Sequence, residues 1–260
     1  MIIRPFQLAV ILSVVFITGC QTANQSKTEV KEIAPGLLQG YLSKDEIPNS
    51  LTLVPPPPEE GTPGYALDQD FASKAVASRT TDTTRLSLAT RDAYLYFPEA
   101  ASSFQSTVGV EISETKTPHL YMLMRRVLTD AALSTSAAKH HYKRKRPFMV
   151  NNTPTCTPAD EEVLRKDGSY PSGHTAIGWA WSLVFTELFP AKTNDILKRG
   201  YEFGESRVIC NVHWHSDVEA GRVVGAATVA RLHANKDFQR DMEAVRKEIV
   251  KINSEHAAGQ

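Results

Sequence analysis

The chain has 260 residues, 42% of them hydrophobic, which is enough for one well-cored domain. Lysine plus arginine equals aspartate plus glutamate at 29 each. That balance excludes an overall field drawing the protein to nucleic acid or an anionic membrane, so any anion site must be local.

The chain opens on MIIRPFQLAVILSVVFITGC, with Arg4 ahead of an apolar run from Leu8 to Ile17. This is the charged-then-apolar pattern of a secretory signal, and residues 1–19 are read as one. The run is shorter than the roughly 20 apolar residues that a bilayer span needs. Its end, Ile17-Thr18-Gly19-Cys20, resembles the bacterial lipobox. The resemblance implies lipidation at Cys20 and a periplasmic protein anchored at the outer membrane; ordinary signal cleavage nearby is the alternative. Under either reading the product is exported. An oxidising compartment makes Cys156 and Cys210 a candidate disulfide, with two buried free thiols as the other reading.

Residues 20–60 begin polar, lack apolar periodicity and end in Pro55 to Pro58, which reads as a tether with a polyproline spacer. From about Leu67 the pattern is helical and strand signals are nearly absent. Thr117-Pro118 caps a helix in which Leu120, Met124, Val127, Ala131 and Ser134 recur at spacings of three and four. That helix is predicted to run to about Arg146, ahead of Pro147. Thr157-Pro158-Ala159-Asp160 caps a short helix stopped by Gly168. Further helices are predicted over His174–Phe189, Ala191–Ser206, Val212–Ala234 and from Asp237 towards Ile252. The expected fold is all-α, a single multi-helix domain over residues 61–254 with a tail at 255–260.

Three segments carry chemistry. In KHHYKRKRP, Lys139 and Arg146 are seven apart and, on one continuous helix, would face a common anion. Lys143, Arg144 and Lys145 between them read as a solvated basic run. In GSYPSGHTAIGWAW, Pro171 and Gly173 set a turn and Ser172 caps the following helix, whose free N–H groups suit a phosphate. His174 would sit beside that anion in the first turn. In SRVICNVHWHSD, His213 and Asp217 are four apart and, on a helix, would be neighbours. The carboxylate would accept the Nδ1 proton and leave Nε2 a free lone pair, as a histidine nucleophile needs. Arg207 would not share that face, so a break is expected at Asn211, a residue that caps helices and tolerates the left-handed conformation. His213 would then fall in a helix first turn. His215 points elsewhere.

Lys139-x6-Arg146-Pro147, Pro171-Ser172-Gly173-His174 and Ser206-Arg207-x5-His213-x3-Asp217 resemble, in order and spacing, the tripartite signature of the phosphatidic-acid-phosphatase type 2 superfamily. That superfamily includes lipid phosphatases, vanadium haloperoxidases and bacterial acid phosphatases. GSYPSGHT and the export signal make the chain similar to the bacterial class A nonspecific acid phosphatases. The resemblance implies that His213 attacks phosphorus, Asp217 orients it and His174 serves as general acid and then base. Lys139, Arg146, Arg207, Ser172 and the Gly173 N–H would hold the phosphoryl oxygens. It implies small phosphomonoester substrates, no cofactor or metal, and a homo-oligomer. Asn211 departs from the pattern, standing where relatives carry glycine. A vanadate-dependent haloperoxidase and a phosphate-capturing lipoprotein without turnover are the alternatives. A zinc site from His213, His215, Asp217, His140 and His141 would require histidines that diverge on a helix to converge.

Overall fold

A computed structural model describes residues 30–258. The signal segment and Cys20 lie outside the described residues. Two short strands, β1 (Glu32–Ala34) and β2 (Leu37–Leu38), pair antiparallel, and everything else that is regular is helical. The helices are α1 (Ser50–Leu53), α2 (Pro63–Ser78), α3 (Thr83–Arg91), α4 (Gln105–Val108), α5 (Pro118–Ser134), α6 (Ser136–Tyr142), α7 (Pro147–Asn151), α8 (Glu161–Leu164), α9 (Gly173–Leu188), α10 (Thr193–Ile209), α11 (His215–Leu232) and α12 (Lys236–Ala258).

Helix α9 is the axis of the fold. Ala176, Ile177, Ala180, Trp181, Val184 and Phe185 are all buried, because α9 is apolar around its circumference and is wrapped by α5, α10 and α11. Small residues let these helices approach closely. A Cβ added at Gly200 of α10 would lie 1.8 Å from Ser182 Oγ, and one at Gly221 of α11 would lie 2.6 Å from the Ser172 carbonyl. Trp181 satisfies its buried Nε1–H on the Met124 carbonyl at 2.9 Å.

The predicted tether is corrected in part. Leu38, Tyr41, Leu42, Ser50 and Val54 are buried against the domain. Asp130 accepts the Tyr41 and Leu42 N–H groups at 2.8 and 3.2 Å, and Thr129 Oγ1 donates to the Leu38 carbonyl at 2.6 Å. The segment is held by these backbone hydrogen bonds together with scattered buried side chains, Tyr41 and Leu42 in the main core and Val54 in a second cluster, rather than by a periodic apolar face, so periodicity gave no sign of it. Its proline run is also fastened, because the Tyr170 hydroxyl donates to the Pro55 carbonyl at 2.6 Å.

The single helix expected over 118–146 is two helices and a turn. Thr135 interrupts it, α6 ends at Tyr142, and Lys143 takes a left-handed conformation at φ 45°. Arg146 is extended at φ −77° and ψ 154°, as its position before proline dictates. The segment after Thr157 is also shorter than predicted, a 3-10 turn over Pro158–Asp160 and then α8. Helix α12 runs past the expected tail boundary to Ala258. No helix among the described residues is long and apolar enough to cross a membrane.

Candidate active site

The three segments meet at the N-terminus of α9. Ser172 N–H donates to the Asp217 carbonyl at 2.9 Å, Ser169 N–H to the Arg144 carbonyl at 2.9 Å, and Trp214 Nε1–H to the Lys145 carbonyl at 2.8 Å. Ser172 caps α9, its hydroxyl accepting from Thr175 N–H at 3.3 Å, and Gly173 and His174 form the first turn as the sequence predicts. The left-handed turn expected at Asn211 is present, at φ 59°. Its amide is anchored on the Asn151 side chain and the Thr153 carbonyl, which supports a non-glycine residue in this conformation. The candidate disulfide forms between Cys156 and Cys210, with Cα atoms 4.7 Å apart, immediately before this turn.

His213 precedes α11 rather than lying in its first turn, because Trp214 is the N-cap. The His213 and Asp217 pairing survives for a different reason from shared helix facing. Asp217 reaches back as a capping residue, accepting Trp214 N–H at 2.8 Å and facing His213 Nδ1 at 3.3 Å with the same oxygen. Asp217 is fully buried and His213 nearly so. A carboxylate can only accept, so Nδ1 carries the proton and Nε2 the lone pair. Arg146 Nη1 donates to that Nε2 at 3.1 Å.

Lys139 and Arg146 converge even though they share no helix face. Lys139 Nζ lies 3.2 Å from Asp167 Oδ2, and Arg146 Nη2 lies 3.3 Å from the same oxygen. Arg146 also donates to the carbonyls of Leu164 and Val212 at 2.9 and 3.0 Å. Arg207, near the end of α10, has Nε and Nη1 buried without a partner, an orphaned pair of donors. Burial and then the Arg146 charge push Lys139 down to about 8 and Arg207 down to about 10. Asp167 offsets part of this crowding at Lys139 and Arg146, while Arg207 has no carboxylate within ion-pair distance among the described residues.

His174 Nε2 lies 3.0 Å from the Ala93 carbonyl, which can only accept, so Nε2 carries a proton and Nδ1 is the free nitrogen. Burial, followed by the Arg207 charge, holds His174 well below the usual histidine range. Burial, followed by the Arg146 and Lys139 charges, does the same to His213.

Arg144 corrects the expectation of a solvated basic run. Lys143 and Lys145 are exposed, but the Arg144 side chain is only 9% exposed and bridges Asp217 and Asp68 at 2.6 and 2.7 Å. The chain has left the helix there, so successive side chains alternate between solvent and interior. Asp68, 148 residues before Ser216, had no local signal. Asp167 was likewise missed, its only mark being a carboxylate one residue before Gly168.

The zinc set is not assembled. Among the described residues, the group with metal-like spacing is Glu205, His215 and Glu219. His215 stacks on Phe71 at 3.9 Å, and Arg222 pairs with both glutamates.

Comparisons with known proteins agree with this geometry. The family model of the PAP2 superfamily matches residues 118–240. The chain is 43% identical over 213 residues to a non-specific acid phosphatase of Providencia stuartii, covering 82% of this chain and 85% of the relative. It is 41% identical over 213 residues to the non-specific acid phosphatase of Salmonella typhimurium, covering 82% and 84%. It is 42% identical over 205 residues to an acid phosphatase of Zymomonas mobilis, covering 78% and 76%. With the three segments gathered at the N-terminus of α9 and likeness extending over most of its length, the chain belongs to the PAP2 superfamily, within its bacterial non-specific acid phosphatases.

Proposed function

We propose that the protein hydrolyses small phosphate monoesters at acidic pH through a phosphohistidine intermediate. The observation that carries this is His213, with Nδ1–H on Asp217 and its Nε2 lone pair meeting Arg146 Nη1, in the field of the Lys139 and Arg207 charges. Burial keeps His213 neutral into the acid range, so the lone pair persists where other histidines are protonated.

His213 Nε2 attacks phosphorus while the P–O bond to the leaving group breaks. Protonated His174 donates a proton from Nδ1 to the departing oxygen, since its Nε2–H is committed to Ala93. A water then attacks the phosphohistidine, giving up its proton to the same Nδ1, and the P–N bond breaks to release phosphate. Lys139, Arg146, the two free Arg207 donors and the N-terminus of α9 hold the phosphoryl oxygens throughout. Three cationic side chains supply the charge compensation that a metal gives elsewhere, so the reaction is metal-independent. Burial and the Arg207 charge favour neutral His174, and an incoming phosphate dianion raises its affinity for the proton it must donate.

The export signal, the Cys20 lipobox and the Cys156–Cys210 bridge support a periplasmic, lipid-anchored enzyme; a homo-oligomer is proposed from the family resemblance alone. Rapid quench of p-nitrophenyl phosphate turnover at pH 5 in EDTA tests the chemistry. Acid-labile phosphate on His213 in wild type, absent in His213→Ala, is the expected result. Turnover by His213→Ala, or loss of activity in EDTA, refutes it. Bromide or chloride oxidation by the vanadate-loaded protein would indicate the haloperoxidase reading instead.

A further inference from the structure

Behind the reacting groups lies a second, largely interior charge chain that the reaction scheme does not use. Arg144 Nη1 donates to Asp217 Oδ1 at 2.6 Å and to Ser216 Oγ at 2.8 Å, and its Nη2 donates to Asp68 Oδ2 at 2.7 Å. Asp68 in turn accepts Ser216 N–H at 2.8 Å and Ser216 Oγ–H at 2.6 Å. The guanidinium also sits 5.4 Å from the Trp214 ring centroid. Asp68 and Asp217 are 1% and 0% exposed.

Division of labour on Asp217 is the telling feature. Oδ1 is given to Arg144, while Oδ2 is given to Trp214 N–H and His213 Nδ1–H. A carboxylate held by one oxygen cannot rotate the other away from the imidazole. Buried ion pairs of this kind are costly to assemble, and replacing them by apolar residues is often neutral for stability. A fold that needed only packing between α2 and α11 had a cheaper solution.

We propose that Arg144 is a positioning residue, clamped by Asp68, which aims the Asp217 carboxylate at His213 and sets how readily that imidazole takes a proton. The proposal rests on the nucleophile reading above. Its charge arithmetic is specific. Asp68, Arg144 and Asp217 sum to one negative charge facing His213. The opposing groups are Lys139 of α6, Arg146 before α7, Asp167 before Gly168, His174 of α9 and Arg207 of α10. Tyr170 is nearby too, but burial pushes its phenol up to about 12, so it stays neutral in the acid range. Removing the Asp68 charge makes the His213 imidazolium less favourable; removing the Arg144 charge makes it more favourable.

The test is the pH profile of kcat/KM for p-nitrophenyl phosphate in D68N, R144M and the double variant. The acid limb, where His213 must be unprotonated, moves down in D68N and up in R144M, each by about half to one pH unit, and returns towards wild type in the double variant. R144M lowers kcat at its optimum by roughly tenfold or more, while inhibition by inorganic phosphate changes less than about threefold, because the oxyanion cations are untouched. D68N is isosteric and carries the test alone should R144M fail to fold. A purely structural role predicts lower rates with unmoved limbs. Limbs that stay put, or move in the same direction, overturn the proposal. Phosphohistidine trapping in wild type separates the two readings: trapping with unmoved limbs sinks this proposal alone, whereas failure to trap sinks the nucleophile itself.

Discussion

Replacing Asp217 by asparagine changes one atom and no volume, yet every neighbour of that carboxylate is a donor. Arg144 Nη1 points at Oδ1, and Trp214 N–H and His213 Nδ1 meet Oδ2. An asparagine has one acceptor and one NH₂, so one side must face donor to donor. If the NH₂ faces Arg144, a charge-assisted hydrogen bond worth about 1.5–3 kcal/mol is lost, and the imidazolium character of a phosphohistidine goes unsupported. If it faces His213, Nδ1 must become the acceptor and the proton moves to Nε2, which abolishes the nucleophilic lone pair. Either arrangement costs the transition state about 3–5 kcal/mol, roughly 10²–10⁴-fold in kcat at 1.36 kcal/mol per decade. The assay is steady-state kcat for p-nitrophenyl phosphate over pH 4 to 8, with circular dichroism to verify folding. Phosphate inhibition should be retained, since Lys139, Arg146 and Arg207 are intact. A folded Asp217→Asn enzyme within tenfold of wild type would refute the orientation argument.

His174→Ala should lose about 10²–10⁴-fold on alkyl phosphates, whose leaving oxygen needs a proton, and much less in the burst phase with p-nitrophenyl phosphate; equal losses on both would remove His174 as the acid. Opening the disulfide, which closes a separation of 54 residues, with Cys156→Ser and Cys210→Ser should cost about 4 kcal/mol by the chain-entropy account, read as a lower urea midpoint; an unchanged midpoint contradicts it. Both site histidines have folded affinities for protons below their unfolded value, so the unfolded chain binds more protons as acidity increases. Ligand-free protein should therefore hold its full contribution above about pH 6.5 and lose it progressively below. Inorganic phosphate should stabilise the protein more at pH 5 than at pH 8, measured as a Tm shift; the reverse order would mean that neither histidine charges with the bound anion.

Local sequence determined the cap at Ser172, the left-handed turn at Asn211, the apolar core helix behind His174 and the order of the three motifs, because each depends on residues within a turn or two. It also led to the helix over 118–146, which was wrong. The periodicity that predicted it is real up to Ser134, but Thr135 interrupts the helix and Lys143 turns the chain against Gly168 well before Pro147. Tertiary structure alone decided which cations face inward. Lys143 to Arg146 are four consecutive basic residues that composition treats alike, and only the departure from helix sorts them alternately into solvent and site. It alone paired Arg144 with both Asp217 and Asp68, since a buried carboxylate's partner is whichever charge the packing brings within 3 Å, and Asp68 comes from a helix far earlier in the chain. Residues 37–54 belong to the same class: their hold on the domain combines backbone hydrogen bonds to the Asp130 and Thr129 side chains with non-periodic apolar contacts of Tyr41, Leu42 and Val54, and neither leaves a local pattern in the sequence.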